Sequence, residues 1–296
     1  MKKAVAMLLA ICMAVGLAGC GGGSEPGAGG GEGTTIEHPS SIVICASNSG
    51  NIWYSCAVKI SELLMKEFPD MSVTVIEGGG DANIDVVNLG TDAQLGFTSS
   101  TSLVPAFAGE NENVKDCSNV KALMSVQMSY AQTAVLASSD IHTFADLAGV
   151  AYQIVSPSEY PDQFSDGHLD ACHINGNLPM ATLVQIDSTD PIRLLQPTDE
   201  ALEHILEKYP SFYTVDVPAN QYAGQPDPMK LLAYDGMLIA NGDLPGEFLA
   251  RVVELIAESG EEMFNRGSWE QCGTFVTQDN TAPEVYDLLK SKGSVE

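Results

Sequence analysis

From Ile42 onward the chain repeats one pattern: a short apolar run, a turn of small polar residues, then a stretch with apolar side chains three to four apart. Ile42 to Ala46 predicts a buried strand. Ser47-Asn48-Ser49-Gly50 leads into a helix whose inward face is Trp53, Cys56, Ala57, Ile60, Leu63, Leu64 and Phe68, and Pro69 stops it. Met71 to Ile76 is the next strand. Glu77-Gly78-Gly79-Gly80 follows, then a helix capped by Asp81 with Ile84 and Val87 inward, and Leu95 to Thr98 is a third strand. This alternation predicts an α/β fold on a largely parallel sheet. In such sheets ligands sit at the carboxyl ends of strands, against helix N-termini whose first N–H groups lack backbone partners. Those ends are Ser47 to Gly50, Gly79 to Asn83 and Thr98 to Ser100, nearly all small and polar.

A chain of 296 residues is longer than one hydrophobic core usually serves, so two lobes are expected. Asp and Glu total 39 against 13 Lys and Arg, a formal charge of −26, and such a surface repels nucleic acid. It says little about small ligands, because the wider field is screened within about 10 Å. Lys2 and Lys3 precede an uncharged apolar run from Ala4 to Ala18, too short to span a bilayer. The run ends in Leu17-Ala18-Gly19-Cys20, which resembles the lipobox of bacterial lipoproteins. Residues 1–19 are therefore expected to be a lipoprotein signal peptide, with lipid on Cys20. Losing two Lys and no acid with that peptide makes the mature charge −26 − 2 = −28. Residues 20–35 are the lipidated Cys and a Gly-rich tether, and the folded part is expected outside the cytoplasm, anchored to the bacterial cell membrane through lipid.

The five cysteines beyond Cys20 are widely spaced, with no C-x-x-C pair, and read as buried free thiols. Neither a Gly-x-Ser-x-Gly nor a His-Glu-x-x-His motif occurs, so no enzyme is expected. The glycines at 78–80 lack the Gly-Lys-Ser/Thr of a phosphate loop. His168, Asp170 and Cys172 alternate along one strand face, a spacing open to a metal tripod. No metal or cofactor is expected. Thr143 to Asp146 is a helix capping box, with Gly149 as its stop.

The segments SNSGNIWYSCAVKISELL, EGGGDANIDVVNLG, AQLGFTSSTSLVPAFAGE, VKALMSVQMSYAQTAVLASSDIHTFADLAG, DGHLDACHINGNLPMATLVQ and LLAYDGMLIANGDLPGEFLARVVELI resemble, in order, the TAXI-type solute receptors of TRAP transporters. The resemblance implies a two-lobed, periplasmic-binding-protein-like (type II) α/β fold with a hinge. It further implies capture of a small organic acid or an amino acid such as glutamate, and delivery to membrane permease subunits. Lobe 1 is expected over 36–130 plus 240–296, and lobe 2 over 131–239. The ligand residues so expected are Asn48, Ser49, Gly50, Tyr54, Gly79, Gly80, Asn83, Thr98, Ser99 and Ser100 in the first lobe. In the second they are His173 and Asn175, helped by Ser156 and Gly176.

Two departures bear on that expectation. Gly80 stands where the family has Ser. After Gly149 the family continues with a strand, a Gly-Ser-Gly-Thr turn and a helix, whereas this chain goes to Tyr152-Gln153-Ile154-Val155-Ser156-Pro157. One βα unit of the second lobe, roughly 30 residues, is thus expected to be missing, leaving a smaller sheet and a shallower cleft. The alternative function is a degenerate, non-transporting lipoprotein of the same fold acting as a sensor or adhesion partner.

Overall fold

The structure, a computed structural model, describes residues 36–149, 151, 153 and 155–296, and residues 36–296 pack as one compact unit. The expected signal peptide, the lipidated Cys20 and the tether lie outside the described residues. Strand β1 (Ser41–Cys45) pairs in parallel with β2 (Ser72–Ile76) on one side and β3 (Leu95–Ser99) on the other. Helices α1 (Ile52–Glu67), α2 (Gly80–Leu89) and α3 (Ser100–Phe107) follow these strands. α1 starts where the Asn51 side chain accepts from the Trp53 N–H at 2.9 Å, and it ends just before Pro69. Gly79, not Asp81, is the cap of α2; Asp81 lies within its first turn, where its charge complements the helix dipole. Gly96 lets α2 approach the sheet, since a Cβ there would stand 2.8 Å from Cys45 Sγ and from Val87 Cγ2.

The chain then leaves this layer along the long strand β4 (Val120–Leu136) and later returns along β8 (Met229–Asn241). One eight-stranded sheet results, in the order β2-β1-β3-β8-β4-β5 (Ala171–Gly176), with β6 (Ile192–Leu194) also pairing with β4 and β7 (Tyr213–Val217) with β8. Between the crossovers lie α4 (Tyr160–Ser165), β5 (Ala171–Gly176), α5 (Ala181–Asp187), β6 (Ile192–Leu194), α6 (Asp199–Lys208) and β7 (Tyr213–Val217). The sheet is not largely parallel, as expected from the alternation. Only β1 with β2 and β1 with β3 run parallel, and every pairing that involves β4 or β8 is antiparallel. Two strands that carry the chain out and back must oppose each other, and they set the direction of whatever they pair with. Thr143 does open a capping box, on a short 3-10 turn (Phe144–Leu147).

Two apolar cores flank the crossovers. The larger holds Ile42, Ile44, Phe97, Leu95 and Ile84, and it is closed by Phe248, Leu249, Val252 and Val253 of the returning helix α7 (Gly246–Glu258) and by α8 (Pro283–Ser291). Full burial of each such side chain contributes roughly 1.5–3 kcal/mol. The smaller holds Ala134, Phe164, Cys172, Ile174, Leu183, Ile192 and Leu231. Along β4 the cores change over between Val126 and Ala134, and along β8 between Leu231 and Met237. The fold is therefore two-lobed, with β4 and β8 as the strands that run through both lobes. At that crossing the fully buried Asp235 pairs with Arg266 at 3.1 Å and accepts from the Tyr213 hydroxyl. Burial and the Asp235 charge push the Tyr213 pKa well up, so the hydroxyl stays a donor. A buried pair of this kind adds little net stability, because desolvation of the two charges offsets most of their attraction.

Candidate functional site: a cleft between the lobes

The strand-end turns of the two lobes face each other across a cleft of about 640 Å³. The first lobe supplies Asn48, Gly50, Asn51 and Ser55, from the β1–α1 turn and the first turn of α1. The second lobe supplies Ser156 and Ser158, then Asn175, Gly176 and Asn177 at the end of β5, and Thr182 on α5. Four Asn side chains and four hydroxyls line it together with the apolar Ile52, Ile174, Pro179, Met180 and Ala181. A second hollow between the lobes, about 800 Å³, lies at α3 and the 208–212 segment and is lined by Asp81, Glu110, Glu112 and Lys208 among others.

A chain of hydrogen bonds ties the cleft to the hinge. Ser129 Oγ donates to Gln127 Oε1 at 3.1 Å, and Gln127 Nε2 donates to Asn177 Oδ1 at 2.7 Å. Gln132 Nε2 donates to the Asn177 carbonyl at 2.8 Å, and Gln132 Oε1 accepts from Tyr222, whose oxygen in turn accepts from the Met180 N–H. Gln127 and Gln132 are fully buried on β4, so the loop after β5 is pinned to a crossover strand. Burial pushes the Tyr222 pKa up to about 12, so this hydroxyl remains protonated and can bridge.

The sequence-expected residues divide into three groups. Asn48, Gly50, Asn175, Ser156 and Gly176 do meet in the cleft. The Ser49 N–H, on the same turn, donates to Glu77 Oε1 at 2.9 Å. A second group belongs to the first lobe's interior. Asn83 is 1% exposed; its Oδ1 accepts from the Gly79 N–H at 2.9 Å, and its Nδ2 donates to the Ala46 and Phe97 carbonyls at 2.6 and 2.7 Å. With both side-chain atoms engaged, Asn83 binds the three strand-end turns together instead of facing a ligand. Gly79 caps α2 beside it, and Gly80, with φ +25, begins the helix in open space. Thr98, Ser99 and Ser100 are buried. Ser99 caps α3 through the Ser102 N–H, and Ser100 Oγ donates to Ser211 O at 2.9 Å while accepting from the Asp235 N–H. Tyr54 packs on the first core.

The third group lies elsewhere. His173 lines a separate hollow of about 490 Å³ on the second lobe, with Thr133, Tyr160, His168, Asp170 and Cys172. Its Nδ1 is 2.9 Å from Thr133 Oγ1, and partial burial lowers its pKa. Among the described residues no three His, Cys, Asp or Glu side chains stand close enough to hold a metal. Asn51, Ser55, Ser158, Asn177 and Thr182 were not singled out in the sequence. Asn51 had a signal, standing directly before the helix; the others follow from how the second lobe folds over the first.

Fold and site together define a two-lobed α/β protein with a polar cleft at the hinge. The chain belongs to the NMT1-like family, which it matches over residues 44–154 and again over 150–271. No curated protein matches it. Among solved structures it is similar to the alkanesulfonate-binding protein SsuA from Xanthomonas axonopodis pv. citri bound to MOPS, with 15% identity, TM-score 0.46, and 88% of this chain and 86% of that one covered. It is also similar to the aliphatic sulphonate binding protein SsuA from Escherichia coli, at 16% identity and TM-score 0.46 over 87% and 76% of the two chains. A TRAP periplasmic solute binding protein from Desulfovibrio desulfuricans, with bound sn-glycerol-3-phosphate, has 14% identity and TM-score 0.42 over 86% and 89%. Among the described residues no helix is long and apolar enough to cross a membrane.

Proposed function

We propose that this chain is an extracytoplasmic solute receptor of a TRAP-type transporter, of the TAXI kind, held to the membrane by lipid on Cys20. It captures a small solute between its lobes and delivers it to membrane permease subunits, and it carries out no chemistry of its own. The observation that carries this reading is the cleft: donors and acceptors of both lobes line one hollow of about 640 Å³, and the lobes are joined through β4 and β8. That volume suits a small organic molecule. Contacts made from both sides exist only when the lobes approach, so the solute favours the closed form, and the permease recognises that form. The resemblance implies an organic acid or amino acid as ligand class. A thermal-shift screen of the purified chain against small organic solutes tests the receptor reading. A solute that raises Tm by several degrees at submillimolar concentration, and less so with Asn175→Ala, supports it. Silence across a broad screen overturns it.

A further inference from the structure

We propose that the two lobes are latched behind the crossing strands, and that this latch holds the cleft open and so sets how tightly a solute is bound. The proposal rests on capture between the lobes and names what opposes it. Phe97 stacks on Trp53 of α1 with ring centroids 6.2 Å apart, whereas a Cβ on the neighbouring Gly96 would meet Val87 of α2 at 2.8 Å. Successive strand residues point to opposite faces, so α1 lies on one face of the sheet and α2 on the other. The cleft of about 640 Å³ opens on the α1 face. The hollow of about 800 Å³, lined by Asp81 of α2 and by Thr101 and Ser102 of α3, opens on the α2 face. Strands β4 and β8 pass between the two. A bend about these strands that narrows one hollow widens the other.

The side chains that join the lobes lie on the α2 face. Ser100 Oγ, at the start of α3, donates to Ser211 O at 2.9 Å, and Ser211 lies on the wall that the second lobe gives to the larger hollow. A Cβ on Gly236 would stand 2.5 Å from Trp53 Nε1, on the α1 face, so its neighbour Asp235 points the other way. There Asp235 holds Arg266, which sits between Phe264 and Trp269 of the larger core. The Arg266 guanidinium stands 5.0 Å over the ring of Tyr213, on a strand paired with the second-lobe end of β8. Among the described residues no hydrogen bond joins the two walls of the cleft. The Ser49 N–H and Asn51 Oδ1 bond within the first lobe, and Ser156 and Ser158 within the second. The lobes are thus fastened at the back and free at the front. Closing the cleft pulls Ser211 from Ser100 and lifts Tyr213 from Arg266. The apparent affinity is then the intrinsic affinity reduced by the fraction of molecules that reach the closed form.

The test needs no solute. Asn48 and Asn175 are exposed on opposite walls of the cleft, while Cys45, Cys56, Cys172 and Cys272 are buried. The parent is the full chain purified in detergent with Asn48→Cys and Asn175→Cys, and with Cys117→Ala to remove the half-buried thiol. The yield with which a short bis-maleimide joins the two walls follows the closed fraction. Ser100→Ala, and separately Tyr213→Leu, which removes the ring beneath Arg266 but spares the Arg266–Asp235 pair, should each raise that yield several-fold. Leu249→Ala, in the larger core, should lower Tm and leave the yield unchanged. Should Ser100→Ala fail to fold, Tyr213→Leu decides. Latch variants that lose Tm but cross-link like the parent overturn the latch, as does an equal gain in Leu249→Ala. Either result leaves the receptor reading to the solute screen. No cross-link in any version overturns closure of this cleft, and the latch with it.

Discussion

Replacing Asn83 with Ala removes the one side chain that joins all three first-lobe turns. Its three short bonds, at 2.9 Å to the Gly79 N–H and at 2.6 and 2.7 Å to the Ala46 and Phe97 carbonyls, would be lost together. A net contribution of about 1 kcal/mol each gives about 3 kcal/mol. The two carbonyls belong to fully buried residues, and leaving them unpaired adds roughly 1–2 kcal/mol more. For a unit of this size the total corresponds to a fall in Tm on the order of 10 °C. Asn83→Asp should be no milder, because it keeps the acceptor for Gly79 but turns a carboxylate oxygen toward two carbonyls. Urea unfolding of the purified proteins, followed by tryptophan fluorescence, measures both losses. Were Asn83 a ligand contact instead, the Ala variant would keep its stability and lose affinity. A loss below about 1 kcal/mol would refute the interior role.

Further outcomes follow from the same structure. Burial raises the Cys45, Cys56 and Cys172 pKa values from 9.0 to about 12. Above pH 9 the unfolded chain therefore releases these protons while the folded chain retains them, so stability that is complete below pH 9 is lost as pH rises toward 12, by about 1.4 kcal/mol per thiol at pH 10; Tm measured from pH 7 to 10.5 should fall, and less steeply in Cys56→Ala relative to its own neutral value. Ser100→Ala should cost about 2 kcal/mol in urea unfolding, since the buried hydroxyl joins Ser211 O to the Asp235 N–H. Cys20→Ala should abolish incorporation of a labelled fatty acid, and equal labelling of the two proteins would sink the lipid anchor.

The first lobe was legible in the sequence because its elements announce themselves locally. The β1 run, the Ser47 to Gly50 turn and Pro69 bound a strand and a helix whatever lies around them. Strand direction carries no such mark: Val120–Leu136 and Met229–Asn241 read as apolar runs, and only the returning path makes them antiparallel. The site was legible as a set of turns but not residue by residue. Asn83, in the first turn of α2, and Asn48, in the β1–α1 turn, both follow strand ends, yet one carboxamide points to the Ala46 and Phe97 carbonyls and the other lines the cleft. Likewise His173 and Asn175 share a strand but line different hollows. Those choices are made by packing between segments far apart in the chain.

Small-angle X-ray scattering of the purified chain, with and without a saturating solute found by thermal shift, tests capture between the lobes most directly. Closure about β4 and β8 predicts that the radius of gyration falls by roughly 1 Å or more on binding and that Asn175→Ala needs more solute to reach the same compaction. A radius of gyration unchanged at saturation, with binding confirmed by calorimetry on the same sample, would contradict capture by closure.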